Sequence, residues 1–165
     1  MSIPVPLQQI AAVAAALTLW ACSPPADRAN SCLPLLQLDT SEYVGWLESE
    51  CHANWTAESG ILQATKSDGY AQVFLSPQLL LSLEQGADTH PVGSAALRVM
   101  YLDDRKTVRG YSISLKTHAS NLDNWFWYEH FSNQESPLTA RNNAPSCVGC
   151  HSHGSDFVQS TLPLR

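Results

Sequence analysis

Apolar and polar positions alternate most clearly where Gly110, Ser112, Ser114 and Lys116 interleave with Tyr111, Ile113, Leu115 and Thr117. A two-residue period of this kind predicts a strand over residues 107–117, part of an antiparallel sheet with one wetter face. Residues 94–102 supply its hairpin partner across the polar turn Asp103-Asp104-Arg105-Lys106, and Pro91-Val92-Gly93 is the turn or bulge leading in. A weaker alternation predicts a strand over Tyr70–Leu75. Residues 124–131, Asn124-Trp125-Phe126-Trp127-Tyr128-Glu129-His130-Phe131, carry bulky groups on both sides and read as a central strand.

Helix signals surround these runs. Ser76-Pro77 starts one, with Ser76 as cap, Pro77 at the first helical position, Leu79, Leu80, Leu81 and Leu83 as its buried side, and Gly86 as its end. Ser41 is the expected cap of a shorter helix with Tyr43, Val44, Trp46 and Leu47 on its apolar face, ending near Cys51. Residues 132–145 read as a polar loop, followed by a short C-terminal helix. The fold class is therefore α+β, mainly β: a small antiparallel sheet with a few short helices.

The N-terminus departs from this pattern. Residues 1–21 have no charged side chain, and Ile10 to Ala21 is almost wholly apolar, too short for a permanent span but suited to a signal peptide. The run ends Leu19-Trp20-Ala21-Cys22, which resembles a lipobox with Cys22 as the lipidated residue, so the chain is expected in the periplasm, tethered by lipid. Residues 22–40 are expected to be a tether and residues 41–165 one domain. The net charge of −6 disfavours nucleic acid and anionic membrane surfaces and permits a basic redox partner protein.

The chemistry lies near the C-terminus, in Cys147-Val148-Gly149-Cys150-His151. Two thiols three positions apart can add across the vinyl groups of one haem, and the adjacent imidazole can ligate the iron, so the segment predicts one covalent haem c with His151 as the proximal iron ligand. A zinc site would need a second ligand pair, for which Cys51-His52 is a poor candidate, and a redox dithiol would need a βαβ context that is not visible. Of the other cysteines, Cys32 and Cys51 are left as a disulfide pair that an exported location allows; two unpaired thiols are the alternative.

Several blocks, in their order, resemble the cytochrome P-460 family, which includes the β-sheet cytochromes c′. They are Tyr70-Ala71-Gln72-Val73-Phe74, Pro91-Val92-Gly93-Ser94 with the strand to Tyr101, residues 110–116, Trp125-Phe126-Trp127-Tyr128-Glu129, and residues 147–151 followed by Asp156-Phe157-Val158. The resemblance implies a compact sheet domain, often dimeric, whose haem keeps an open distal position and either binds nitric oxide or oxidises hydroxylamine. Members that oxidise hydroxylamine carry a lysine bonded to the haem edge, and the matching position here is Arg98. A guanidinium stays protonated and is a poor nucleophile, so that cross-link is expected to be missing.

Arg98 and Glu129 are the candidate distal or catalytic residues: Arg98 as a donor to a bound ligand or a partner of a carboxylate, Glu129 as a proton carrier or as a pair for Arg98 or Arg109. Met100 shares the expected face of Arg98 and is either core or a sixth ligand. Three functions follow as expectations: binding of a small ligand such as nitric oxide, oxidation of hydroxylamine or turnover of peroxide, and electron transfer with Met100 as axial ligand.

Overall fold

The structure is a computed structural model that describes residues 32–64, 69–119 and 124–165. The expected signal segment, Cys22 and the first part of the tether lie outside the described residues. No helix among those residues is long and apolar enough to cross a membrane.

The described residues form mainly antiparallel sheet with three short α-helices, an α+β fold. The strands are β1 (Thr56–Ala57), β2 (Leu62–Gln63), β3 (Tyr70–Leu75), β4 (Ala95–Tyr101), β5 (Val108–Lys116), β6 (Trp125–Phe131) and β7 (Thr139–Asn142). They pair in the order β1-β3-β4-β5-β6-β7, with β2 also on β3. The helices are α1 (Tyr43–Glu48), α2 (Pro77–Glu84) and α3 (Pro145–His151), with 3-10 turns at Leu35–Gln37 and Thr40–Glu42.

Helix α2 starts as its sequence demands: the Ser76 hydroxyl accepts from the Leu79 amide at 3.3 Å and Pro77 occupies the first turn. The same hydroxyl accepts from Ala95 N at 2.9 Å, which ties the helix to β4. Its buried side differs from the expected one. Leu81 points outward at 54% exposure while Ser82 is buried, because its hydroxyl bonds the ring of His90. The cap before α1 also differs: Asp39 accepts from Ser41 N and Glu42 reaches back to Asp39 N, so a capping box is centred on Asp39 and not on Ser41.

Residues 32–40, assigned by sequence to the tether, belong to the domain. Leu35 is buried, its carbonyl accepts from the Tyr43 hydroxyl, the Leu33 carbonyl accepts from Trp46 Nε1, and Cys32 is disulfide-bonded to Cys51. The expected loop 132–145 contains the edge strand β7, a run of polar residues with no alternation to betray it.

The register separates the two faces of the sheet. Phe74, Leu97, Ile113 and Tyr128 line up on one face, which α1 and the Leu35 segment close, leaving Leu97 and Ile113 fully buried. Val73, Arg98, Ser112 and Glu129 line up on the other, and all four are half-exposed. Next to that row run Leu75, Ala96, Ser114 and Trp127, which with Trp125 meet α2, α3 and the C-terminal residues Phe157, Val158 and Leu164. The face expected to be wetter is therefore half-open in its middle and covered at one end by α3. Lys116, counted among its wet positions, is instead only 2% exposed.

Candidate functional site

Pro145 opens α3, and the helix runs through the C-x-x-C-H segment. Positions i, i+3 and i+4 share one helix face, so Cys147, Cys150 and His151 point the same way. Both cysteines are reduced thiols; Cys147 is half-buried against the tryptophan end of the sheet and Cys150 is exposed. Burial, above all, pushes the Cys147 thiol up, and the nearby charge of Glu129 adds to it, while a contact from Ser146 opposes. An attacking redox thiol needs the opposite shift, so Cys147 is poorly placed as the nucleophile of a redox dithiol.

His151 packs its ring on Trp127, with centroids 4.7 Å apart. Its Nδ1 lies 2.9 Å from the carbonyl oxygen of Phe157, and because a carbonyl can only accept, Nδ1 carries the hydrogen. In the neutral ring the lone pair is then on Nε2, the nitrogen suited to a metal. Trp127 is 3% exposed, and its Nε1 is a buried donor with no partner among the described residues. Such an orphan beside His151 suits a site that receives a further acceptor group.

The loop after α3 is held from several sides. Gly154 N bonds the His151 carbonyl, Val158 N bonds the Ser155 carbonyl, and Gln159 Nε2 donates to the Cys150 carbonyl. A Cβ on Gly154 would collide with the Val158 carbonyl, so only glycine allows this approach. Asp156 and Phe157 have φ of 45° and 65°, left-handed backbone that costs side-chain-bearing residues about 1–2 kcal/mol each.

Neither the composition nor the periodicity had marked the anchor of this loop. The Asp156 carboxylate receives Lys116 Nζ on both oxygens at 2.7 Å, His90 N at 2.8 Å and, more distantly, Trp125 Nε1 at 3.4 Å. The two charged side chains are 2% and 6% exposed, and the ammonium also stands 5.6 Å from the Trp125 ring centroid. The lysine is on β5 and the aspartate is 40 positions later, which is why local pattern could not join them.

Arg98 and Glu129 share a row of the half-open face, with Ser112 of β5 between them. Burial lowers the Arg98 guanidinium, and the Glu129 carboxylate opposes that shift, so the two charges sense each other. The Glu129 charge also acts on the Cys147 thiol of α3. Met100 is buried one row further on, opposite Ala71 and Gly110. With about 6.7 Å per two-residue step, it lies about 13 Å along the sheet from the row of Trp127, on which His151 packs.

The other histidines are committed elsewhere. His130 stacks on Tyr128 and His52 packs on Phe74, both on the closed face; His90 Nδ1 bonds Ser82, and His118 and His153 are exposed. Cys51 is in its disulfide, so Cys51-His52 is not a second ligand pair for zinc, and among the described residues no group of three His, Cys, Asp or Glu side chains forms a metal site. Two concavities bordered by described residues lie away from α3: a groove of about 820 Å³ beside Leu33, Trp46, Trp55 and Val92, and one of about 480 Å³ between Gly69 and Arg109. No known protein family and no curated protein matches this sequence.

Proposed function

We propose that this protein is an exported mono-haem c-type cytochrome of the cytochrome P-460 type that binds a small ligand such as nitric oxide. The observation that carries the reading is the state of His151: its Nδ1–H is given to the Phe157 carbonyl, which leaves the lone pair on Nε2 of a residue that shares its helix face with two reduced thiols. Cys147 and Cys150 would hold the haem through thioethers and His151 would be its proximal ligand. Haem held there would supply an iron able to bind a small molecule.

The protein's own contribution is the half-open sheet face beside α3. Arg98 keeps a positive charge and can donate hydrogen bonds, Glu129 can accept or carry a proton, and Ser112 between them adds a hydroxyl. Trp127 offers an indole N–H with no partner among the described residues. The Cys32–Cys51 disulfide supports an oxidising compartment, the periplasm, with Cys22 as the lipid anchor. The placement of Arg98 and Glu129 in one row, close enough for their charges to act on each other, also favours a second reading, an oxidoreductase acting on hydroxylamine or peroxide, in which the cation stabilises developing negative charge and the carboxylate moves the proton. The position of Met100, one row beyond Arg98 and away from the His151 end, gives less support to an electron carrier with that residue as axial ligand.

The test is production of the full chain in a host that attaches haem c, followed by mass measurement. The reading expects the mass of one haem on the wild type and none on Cys147→Ala/Cys150→Ala. An unmodified wild-type chain would reject it.

A further inference from the structure

The buried pair Lys116–Asp156 has no place in the chemistry just described, yet it is the most completely enclosed charge pair among the described residues. Buried ion pairs add little net stability, since the cost of removing both charges from water offsets their attraction. Its position suggests a different role. Asp156 is one residue from Phe157, both have left-handed backbone, and the Phe157 carbonyl is the acceptor for His151 Nδ1.

We propose that Lys116 and Asp156 are positioning residues for His151, acting through the Phe157 carbonyl. Lys116 at 2.7 Å and the His90 amide at 2.8 Å lock the Asp156 carboxylate, and a locked side chain at 156 holds the next peptide in a conformation that a free loop would leave. The carbonyl therefore stays 2.9 Å from Nδ1 and fixes both the tautomer and the ring orientation of His151. Strand β5, which carries Lys116, is thus coupled to a side chain at the end of α3 with which it shares no backbone pairing. This role rests on the reading of His151 as the iron ligand.

The test compares the wild type with Asp156→Asn, Lys116→Met/Asp156→Asn and Glu58→Gln. The double variant removes both charges together, so no buried charge is left unpaired to endanger the fold. Glu58→Gln disrupts another ion pair, with Arg165, that has no connection to His151 and so reports general loosening. In the full chain before haem attachment, ring nitrogen-15 shifts give the His151 tautomer ratio. The proposal expects the preference for Nδ1–H to fall about tenfold in both Asp156 variants and to stay unchanged in Glu58→Gln. In the haem-bound chain a weaker hydrogen bond makes the imidazole a poorer donor, so the ferric form loses about tenfold in relative stability and the midpoint potential rises by about 59 mV. An unchanged tautomer ratio in the folded double variant, or an equal change in Glu58→Gln, would overturn the proposal. If no haem attaches, the proposed function falls, and the tautomer measurement still decides whether the pair positions His151.

Discussion

His52 shows how one side chain on the closed face shapes the response to acid. Burial, the larger cause, pulls its pKa below the ordinary histidine value, while the charge of Glu50 opposes this. The unfolded chain therefore takes up a proton first as pH falls, and stability that is present above about pH 6.5 is lost on the way down to the folded-state pKa. His90 is shifted in the same direction, again chiefly by burial. The melting temperature should fall between about pH 7.5 and about pH 5.5, and His52→Phe should remove part of that fall. An unaltered pH dependence in the variant would show that His52 is not buried in its neutral form. Gly154 makes a second case, since a methyl group there meets the Val158 carbonyl in a loop already strained at Asp156 and Phe157. Gly154→Ala should cost about 1–3 kcal/mol in denaturant unfolding. A variant as stable as the wild type would mean that the loop can open at no cost.

Among the elements, those with their own local signal were readable before folding. Strand β3, the β4–β5 hairpin and β6 follow from alternation and β-branched or aromatic content, and α2 from Ser76-Pro77. What escaped depends on partners distant in sequence. Strand β7 is Thr-Ala-Arg-Asn, without an apolar period, and it forms because β6 offers an unpaired edge. Leu35 belongs to the core because α1 and the disulfide bring it there, whereas its surroundings in sequence resemble a linker. Of the site, Cys147, Cys150 and His151 were legible because their spacing is itself the signal. The row that joins Arg98 to Glu129 needed the strand register, and the Lys116–Asp156 anchor needed the tertiary fold. The disulfide yields a prediction for the N-terminal element. Cys32→Ser/Cys51→Ser should lower unfolding free energy by about 3 kcal/mol, the value for a closed loop of about 20 residues. A loss below about 0.5 kcal/mol would show that Leu35 and Trp46 hold the segment without it.

Taken whole, the molecule is asymmetric about its sheet. One face is sealed by α1, to the point that burial pushes the Tyr43 hydroxyl up to about 12. Among the described residues the other is covered at the end where α3, α2 and the C-terminal loop meet the tryptophans, with a polar, half-open row beside the helix that carries the two thiols and His151. If haem is held on α3 as proposed, this half-open row would leave it within reach of small molecules, and the net charge of −6 would favour a redox partner with a basic surface. The most direct test of the central claim is the absorption spectrum of the purified, haem-bound protein in its ferric and ferrous forms, with nitric oxide then added to the ferrous form. The account predicts a high-spin c-type spectrum that changes at once on addition. A low-spin, six-coordinate spectrum that responds slowly would contradict the open position, and a strongly red-shifted ferrous Soret band would reveal a cross-link that Arg98 is not expected to form.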